Sequence, residues 1–297
     1  MKRIAAVALC MILVVFFSTV LAVSGFNAQT PSIKVMSYNI RMALATDDPV
    51  PWEGRKDKVL ALIKDENPDI VNMQEVTGRQ YHYLREKLGD EYGWYGLYRT
   101  LTIPHDSPTY ELFAAFDEAS PIFYKKSRFE LVAQECFWLS ETPDVVSRGW
   151  DADANRICTH VTLLDKITKK TVEVYNTHFD HMGETARLES AKLISGKISN
   201  HSGPAIATGD FNFNEGEEGY PIMAEAMKDA KFVAKDSDTG ASFQKFTAGS
   251  MTGKPIDFVF VTDHFNVEKY KLNRGFYGGE YPPSDHFALS VVLNYKE

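Results

Sequence analysis

Apolar and polar positions alternate over Ile33-Lys34-Val35-Met36-Ser37-Tyr38-Asn39, which predicts a strand ending on an amide. From Arg55 to Glu66 the period changes: Val59, Leu60 and Ile63 share one helical face, and Asn67-Pro68 stops the helix. Trp52 lies in the loop before it and reads as a lid on the helix start. A second strand runs Asp69-Ile70-Val71-Asn72-Met73-Gln74-Glu75, and Gln80 to Leu88 forms a second helix. Strand, helix, strand, helix is an α/β pattern.

The period is lost between Tyr92 and Phe116, where aromatics interleave with Pro104, Pro108 and His105-Asp106. This predicts a long loop with some strand, its aromatics placed in the core ahead of a stacking wall or a membrane-touching surface. Pro121–Tyr124 and Phe129–Trp138 read as a hairpin around Lys125-Lys126-Ser127. The loop Ser147 to Arg156 precedes a strand at Ile157–Leu164, and another strand covers Thr171–His178. Thr185 to Ile198 is a helix with Leu188, Ala191 and Ile194 spaced for burial. Pro204–Ala207, Lys254–Val261 and Ala288–Leu293 complete the strands.

Polar chemistry gathers at the strand ends. Gly209-Asp210-Phe211-Asn212 places a carboxylate and an amide two residues apart, so both face one spot on an extended chain. A bare G-D-x-N is most often a turn. Here it is matched by Asn39, Glu75, Asn176-Thr177-His178, Asp257 and Ser284-Asp285-His286. Ligands of open α/β sheets collect outside strand ends, so these groups can converge. An Asp opening an apolar strand needs a partner, and His286 is available to Asp257. The candidate ligands are oxygens, which favours Mg²⁺, Mn²⁺ or Ca²⁺ over Zn²⁺. That leaves two imidazoles for proton transfer and charge stabilisation. An oxygen-held cation, a His pair and an Asp base suit in-line hydrolysis of a phosphate ester, with Asp210 activating water. Arg156 is a candidate phosphate clamp, because its fork can bind two oxygens at once.

Composition narrows the setting. The 297 residues, 44% apolar and 24% charged, contain no repeat or linker and fit one large domain. Lys2-Arg3 followed by the weakly polar to apolar run Ile4–Val23 reads as a signal peptide or an N-terminal membrane anchor. We therefore divide the chain into that segment, 1–28, and a domain, 29–297, exported in either case. Cleavage within Leu21–Gln29 and retention as an anchor both remain open. The remaining cysteines, Cys136 and Cys158, allow one disulfide or two thiols but no thiolate metal site. A net charge of −8 without a Lys/Arg-rich run argues against tight, sequence-independent binding to a nucleic-acid backbone.

Ser37-Tyr38-Asn39-Ile40, Gln74-Glu75-Val76, Asn176-Thr177-His178, Gly209-Asp210-Phe211-Asn212, Ile256-Asp257-Phe258 and Ser284-Asp285-His286 together resemble the endonuclease/exonuclease/phosphatase superfamily. The blocks occur in that family's order and cover Ile33 to Asn294. The resemblance implies a four-layer α/β sandwich: two packed mixed β-sheets flanked by helices. It implies that Glu75, helped by Asn39 and Asp285, holds Mg²⁺, and that Asp210 is the base. Asn212 would position phosphate or water, and His178 and His286 would contact phosphoryl oxygens. Asp257 would orient and charge His286, and Glu118 would pair with His178. Arg156, Trp150 and Tyr124 are assigned to substrate binding. Arg148–Arg156 and Phe179-Asp180-His181 depart from the basic DNA-gripping loops of the nucleases and look like a bacterial secreted branch.

The expectation is an exported, monomeric, divalent-metal-dependent phosphoesterase acting on a phosphorylated small molecule, glycan or lipid head group. Its membrane contact would be limited to the N-terminal anchor. A secreted nuclease shares every catalytic residue and is the alternative. A non-catalytic binding module would be expected to have lost some of the polar strand-end positions, and none is lost.

Overall fold

The computed structural model describes residues 31–44, 49–100, 115–247 and 253–296. The apolar run Ile4–Val23, the proposed cleavage region and the aromatics Tyr110 and Phe113 lie outside these residues. No helix among the described residues is long and apolar enough to cross a membrane.

The strands are β1 Ile33–Asn39, β2 Ile70–Gln74, β3 Val76–Thr77, β4 Tyr92–Tyr95, β5 Glu118–Ala119, β6 Ile122–Lys125, β7 Phe129–Trp138 and β8 Ile157–Asp165. They continue as β9 Thr171–His178, β10 Ala205–Asp210, β11 Lys228–Asp229, β12 Asp236–Ser237, β13 Asp257–Val261, β14 Phe265–Asn273 and β15 Ala288–Tyr295. The helices are α1 Trp52–Glu66, α2 Gly78–Leu88, α3 Glu184–Ser199, α4 Gly219–Ala226 and α5 Ala230–Val233. One sheet has the order β12-β14-β15-β1-β2-β6-β4 and the other β11-β13-β10-β9-β8-β7. Both are mixed: β1 runs parallel to β2 and β9 to β10, within otherwise mostly antiparallel ladders.

Period-two alternation makes the layers. On β1, Ile33 and Val35 enter the core between the sheets, whereas Met36 and Tyr38 enter a second core beneath α1 and α2. On β10, Ile206 faces inward while Ala205 and Ala207 pack under α3 and α4. The result is helix, sheet, sheet, helix, the four-layer α/β sandwich expected from the resemblance.

The inner faces grade along their length. Val35 is followed on its face by Ser37 and Asn39, Ile70 by Asn72 and Gln74, Val174 by Asn176 and His178, and Ile206 by Thr208 and Asp210. Polar members of these series bond across the gap. Asn72 Nδ2 donates to Thr208 Oγ1 at 2.8 Å, and Gln74 Nε2 donates to Asn176 Oδ1 at 2.7 Å. Polar groups buried this way cost little only because they are paired. They pin the two sheets in register, so the last members converge.

The structure corrects one local expectation. β6 and β7 are not a hairpin: β6 pairs with β2 and β4 in one sheet, and β7 pairs with β8 in the other. Arg128 sits at this crossing, donating to Asp69 Oδ2 at 3.0 Å and to Asp165 Oδ2 at 3.1 Å. Asp165 is fully buried, so removing the guanidinium strands a charge. Arg128→Leu is expected to cost about 3–5 kcal/mol, the usual penalty for breaking a buried pair from one side. The midpoint of urea unfolding measures it. Cys136 and Cys158 are both free thiols.

Candidate active site

The polar ends of β1, β2, β9, β10 and β13 open into a cavity of about 520 Å³. Its floor is Asp210, 2% exposed. Asp210 Oδ1 accepts the Asn212 backbone N–H at 3.0 Å, and Oδ2 accepts from Asn39 Nδ2 at 3.0 Å. The same Oδ2 lies 3.6 Å from His178 Nε2 and 3.7 Å from His286 Nε2. One carboxylate oxygen thus faces both imidazoles. The register explains it, because Asp210 pairs with His178 on one side and with Asp257 on the other.

The surroundings push the two imidazoles in opposite directions. His286 Nδ1 bonds Asp257 Oδ2 at 2.8 Å. Burial works against its charge, but Asp257 and Asp210 outweigh that and raise its pKa well above the ordinary value. His178 is pushed well below the ordinary value by burial and then by Arg156 and Arg99. Its Nδ1 is buried without a hydrogen bond to any described residue. Asp210 itself is raised to about 7, by burial first and Asp257 second.

Glu118 departs from its expected role. Its Oε2 is 3.8 Å from His178 Nδ1, beyond hydrogen-bond distance, while its Oε1 forms an ion pair with Arg99 Nη2 at 2.8 Å. The arginine in the adjoining segment takes the carboxylate instead. Asn39 also differs from a simple metal ligand. Its Nδ2 donates to Glu75 Oε1 and to Asp210, each at 3.0 Å, and its Oδ1 accepts from the Arg41 N–H at 3.0 Å. Asn212 Nδ2 donates to Phe179 O at 3.0 Å, fixing the plane of its amide. Tyr124 and Trp150 do not line the cavity; Tyr124 belongs to the apolar core between the sheets. Arg156 does line it.

Glu75 and Asp285 place two carboxylates on the cavity wall. Glu75 Oε2 accepts the Met42 N–H at 2.9 Å. Burial opposes its ionisation, but the Asn39 and Met42 hydrogen bonds outweigh it and lower its pKa. The loop presenting Met42 is itself tied down. Buried Arg55, from α1, donates to the carbonyls of Ile40, Arg41 and Met42, and Gln80, from α2, donates to Arg41 O at 2.7 Å. Carboxylate, imidazole and carboxylate atoms of Glu75, His178 and Asp210 lie within 4.8 Å of one another. The oriented carboxylate oxygens of this group are the donors that a hard divalent cation takes.

Backbone strain concentrates here. Arg41, Glu75, Asn212 and Lys245 all line the cavity with left-handed φ of 57°, 60°, 50° and 54°. Non-glycine residues hold such angles only where their surroundings impose them. At Glu75 the turn swings the carboxylate out of the β2 pleat toward Asn39.

A family model described as the Endonuclease/Exonuclease/phosphatase family matches residues 36–286. The chain belongs to this family. Its members hydrolyse phosphate ester bonds, as phosphoesterases or nucleases, and generally depend on a divalent metal. The chain is therefore a hydrolase of phosphate esters. A mannosyl-6-phosphatase from Bacteroides thetaiotaomicron superposes with a TM-score of 0.80 at 31% identity, covering 89% of this chain and 100% of its own. A family member from Bacteroides vulgatus gives a TM-score of 0.78 at 34% identity, covering 90% and 100%. An uncharacterized protein of Acanthamoeba polyphaga mimivirus is 28% identical over 281 residues, 88% of this chain and 100% of its own.

Sequence reasoning passed over several residues of the cavity. Arg99, Asp153, Phe243 and Lys245 lie in segments without periodicity, where no pattern marks a functional face. Asp180 was visible only as a neighbour of His178 and His181.

Proposed function

We propose that this protein is an exported Mg²⁺-dependent phosphatase acting on a phosphorylated carbohydrate. The observation that carries the chemistry is the single Asp210 oxygen facing two imidazoles, at 3.6 and 3.7 Å. The sugar phosphate is supported by the mannosyl-6-phosphatase, which shares 31% identity over its whole length. The export step rests on Lys2-Arg3 and the run that follows.

Phosphate would enter with its oxygens toward His178, His286 and Asn212. Asp210 takes a proton from water as the water oxygen bonds phosphorus in line with the departing alcohol oxygen. The phosphorus–alcohol bond breaks as that bond forms, the departing oxygen takes a proton from solvent and Asp210 later releases its own, giving inorganic phosphate and the alcohol. His286, charged, offsets the charge that grows on the phosphoryl oxygens. His178, neutral, donates or accepts a hydrogen bond without adding charge. Glu75 and Asp285 would hold the cation, with Asn39 orienting Glu75, and the cation would supply charge neutralisation at phosphoryl oxygens.

The test is a substrate panel of hexose 6-phosphates, phenyl phosphate, a bis-aryl phosphodiester and plasmid DNA, each with Mg²⁺ and with EDTA. Phosphate release from the monoesters with Mg²⁺ and none with EDTA is expected. Plasmid nicking without phosphate release from either monoester would replace this reading with the nuclease.

A further inference from the structure

One wall of the cavity is built by a single buried carboxylate. Asp180 is 1% exposed. Its Oδ1 accepts N–H groups from Asp153 at 3.1 Å, Met182 at 3.0 Å and Gly183 at 2.9 Å. Its Oδ2 accepts from Ala154 N–H at 3.2 Å and from Arg156 Nε at 3.3 Å. Burial opposes the charge of Asp180, but the Gly183, Asp153 and Met182 N–H groups hold its carboxyl below the usual range. Two segments are therefore stitched together: the stretch before β8 and the turn after β9. Asp151 adds a second stitch by accepting the Ala186 N–H at 2.7 Å in the first turn of α3.

The stitches fix backbone and leave side-chain capacity facing the cavity. Asp153, Ala154, Arg156 and His181 all line it. Asp153 is exposed, and its carboxylate bonds no described residue. Arg156 uses Nε on Asp180 and Nη2 on His181 Nδ1 at 3.2 Å, while Nη1 bonds no described residue. A carboxylate that only accepts beside a guanidinium that only donates matches hydroxyls, which do both. Among the described residues no Phe, Tyr or Trp lies on this wall; Phe243 lines the cavity beside His286, with ring centroids 4.8 Å apart. A cavity of about 520 Å³ falls within the range, about 300–1,000 Å³, of sites that enclose a whole small molecule rather than a phosphate alone.

We propose that Asp153, Arg156 and His181 form a subsite for the hydroxyl groups of the substrate's alcohol portion, and that Asp180 is the positioning residue that holds it. This rests on the phosphatase reading and adds which residues select the alcohol.

The experiment compares kcat/KM for a hexose 6-phosphate with that for phenyl phosphate, whose leaving group carries no hydroxyls. In Asp153→Ala the ratio of the two is expected to fall about ten-fold or more, the loss of a hydrogen bond to a charged group. Most of the fall is expected in KM for the sugar ester. Asp153→Asn, which keeps an acceptor oxygen, is expected to recover part of it. Asp180→Asn is expected to move the ratio the same way; Asp153 lies at the surface, so its variants decide the matter even if Asp180→Asn fails to fold. An unchanged ratio in Asp153→Ala overturns the subsite. A wild-type enzyme that hydrolyses phenyl phosphate but no hexose phosphate overturns the subsite and leaves phosphomonoester hydrolysis standing. A wild-type enzyme that hydrolyses neither overturns the phosphatase reading, and the subsite with it.

Discussion

Asp210→Asn is expected to lower kcat by about 10²–10⁴-fold, the range for loss of a positioned general base. The substitution keeps the shape of the side chain and removes its proton affinity. One hydrogen bond survives, because the amide oxygen can still accept the Asn212 N–H that Oδ1 now accepts at 3.0 Å. The other side is lost, since an amide nitrogen would then face the Asn39 Nδ2 that donates to Oδ2 at 3.0 Å. Stability should move little, or upward. Asp210 is buried, and Asp257 and Glu75 both disfavour its charge, so neutralising it relieves a local repulsion. An active site built of mutually repelling carboxylates trades stability for function in this way. Rates at saturating phosphate ester with Mg²⁺, read beside the melting temperature, separate the two effects. A folded Asp210→Asn enzyme with wild-type kcat would remove this carboxylate from the reaction.

How much of this was legible in the sequence depends on how local the signal was. β1, β2, β9 and β10 were readable because each is a short, almost wholly buried run. The polar residues closing them stood out against apolar runs. β14 was not read, and its ladder shows why. Phe265 and Val267 share one parity, Tyr270 and Leu272 the other, with a register shift between Val267 and Lys269. A bulge adds one residue and breaks the alternation on which a strand is recognised. The β6–β7 error has a different source. Two strands around a short polar connection look like a hairpin locally, and only the pairing of β6 with β2 and β4 shows that the chain changes sheets there. Glu118 failed for a related reason: its competing partner, Arg99, comes from a segment whose fold no local pattern announces.

The site itself illustrates the same division. The strands supply residues whose direction the pleat dictates, namely Asn39, His178, Asp210 and Asp257. The loops supply residues whose direction depends on strain and on buried tethers. Glu75 is aimed by its left-handed turn and by the Met42 N–H, and Met42 is held by Arg55. In the sequence Arg55 looks only like the first residue of a helix, yet it is 1% exposed, with its guanidinium 5.3 Å from the Trp52 ring. Tethers of this kind join elements far apart in the chain, so spacing cannot reveal them.

The second large effect concerns the Asp257–His286 pair. His286→Ala and Asp257→Asn are each expected to lower kcat by about 10²–10³-fold, the cost of losing one preorganised donor to developing charge. Asp257 acts chiefly through His286, whose Nδ1 it holds at 2.8 Å and whose charged form it favours, and it also raises the Asp210 carboxyl. Once the imidazole is gone, Asp257 has nothing left to orient, so the double variant should be scarcely slower than His286→Ala alone. Stability should separate the singles. His286→Ala leaves Asp257, 2% exposed, as a buried charge without its partner, at a cost of about 3–5 kcal/mol. Asp257→Asn removes the charge and keeps an oxygen for Nδ1, so it should unfold at a higher denaturant concentration than His286→Ala. In the double variant the stranded charge is gone, and part of the lost stability should return. Losses in kcat that simply multiply would mean that the two residues act independently, and the charge assigned to His286 would then need another source.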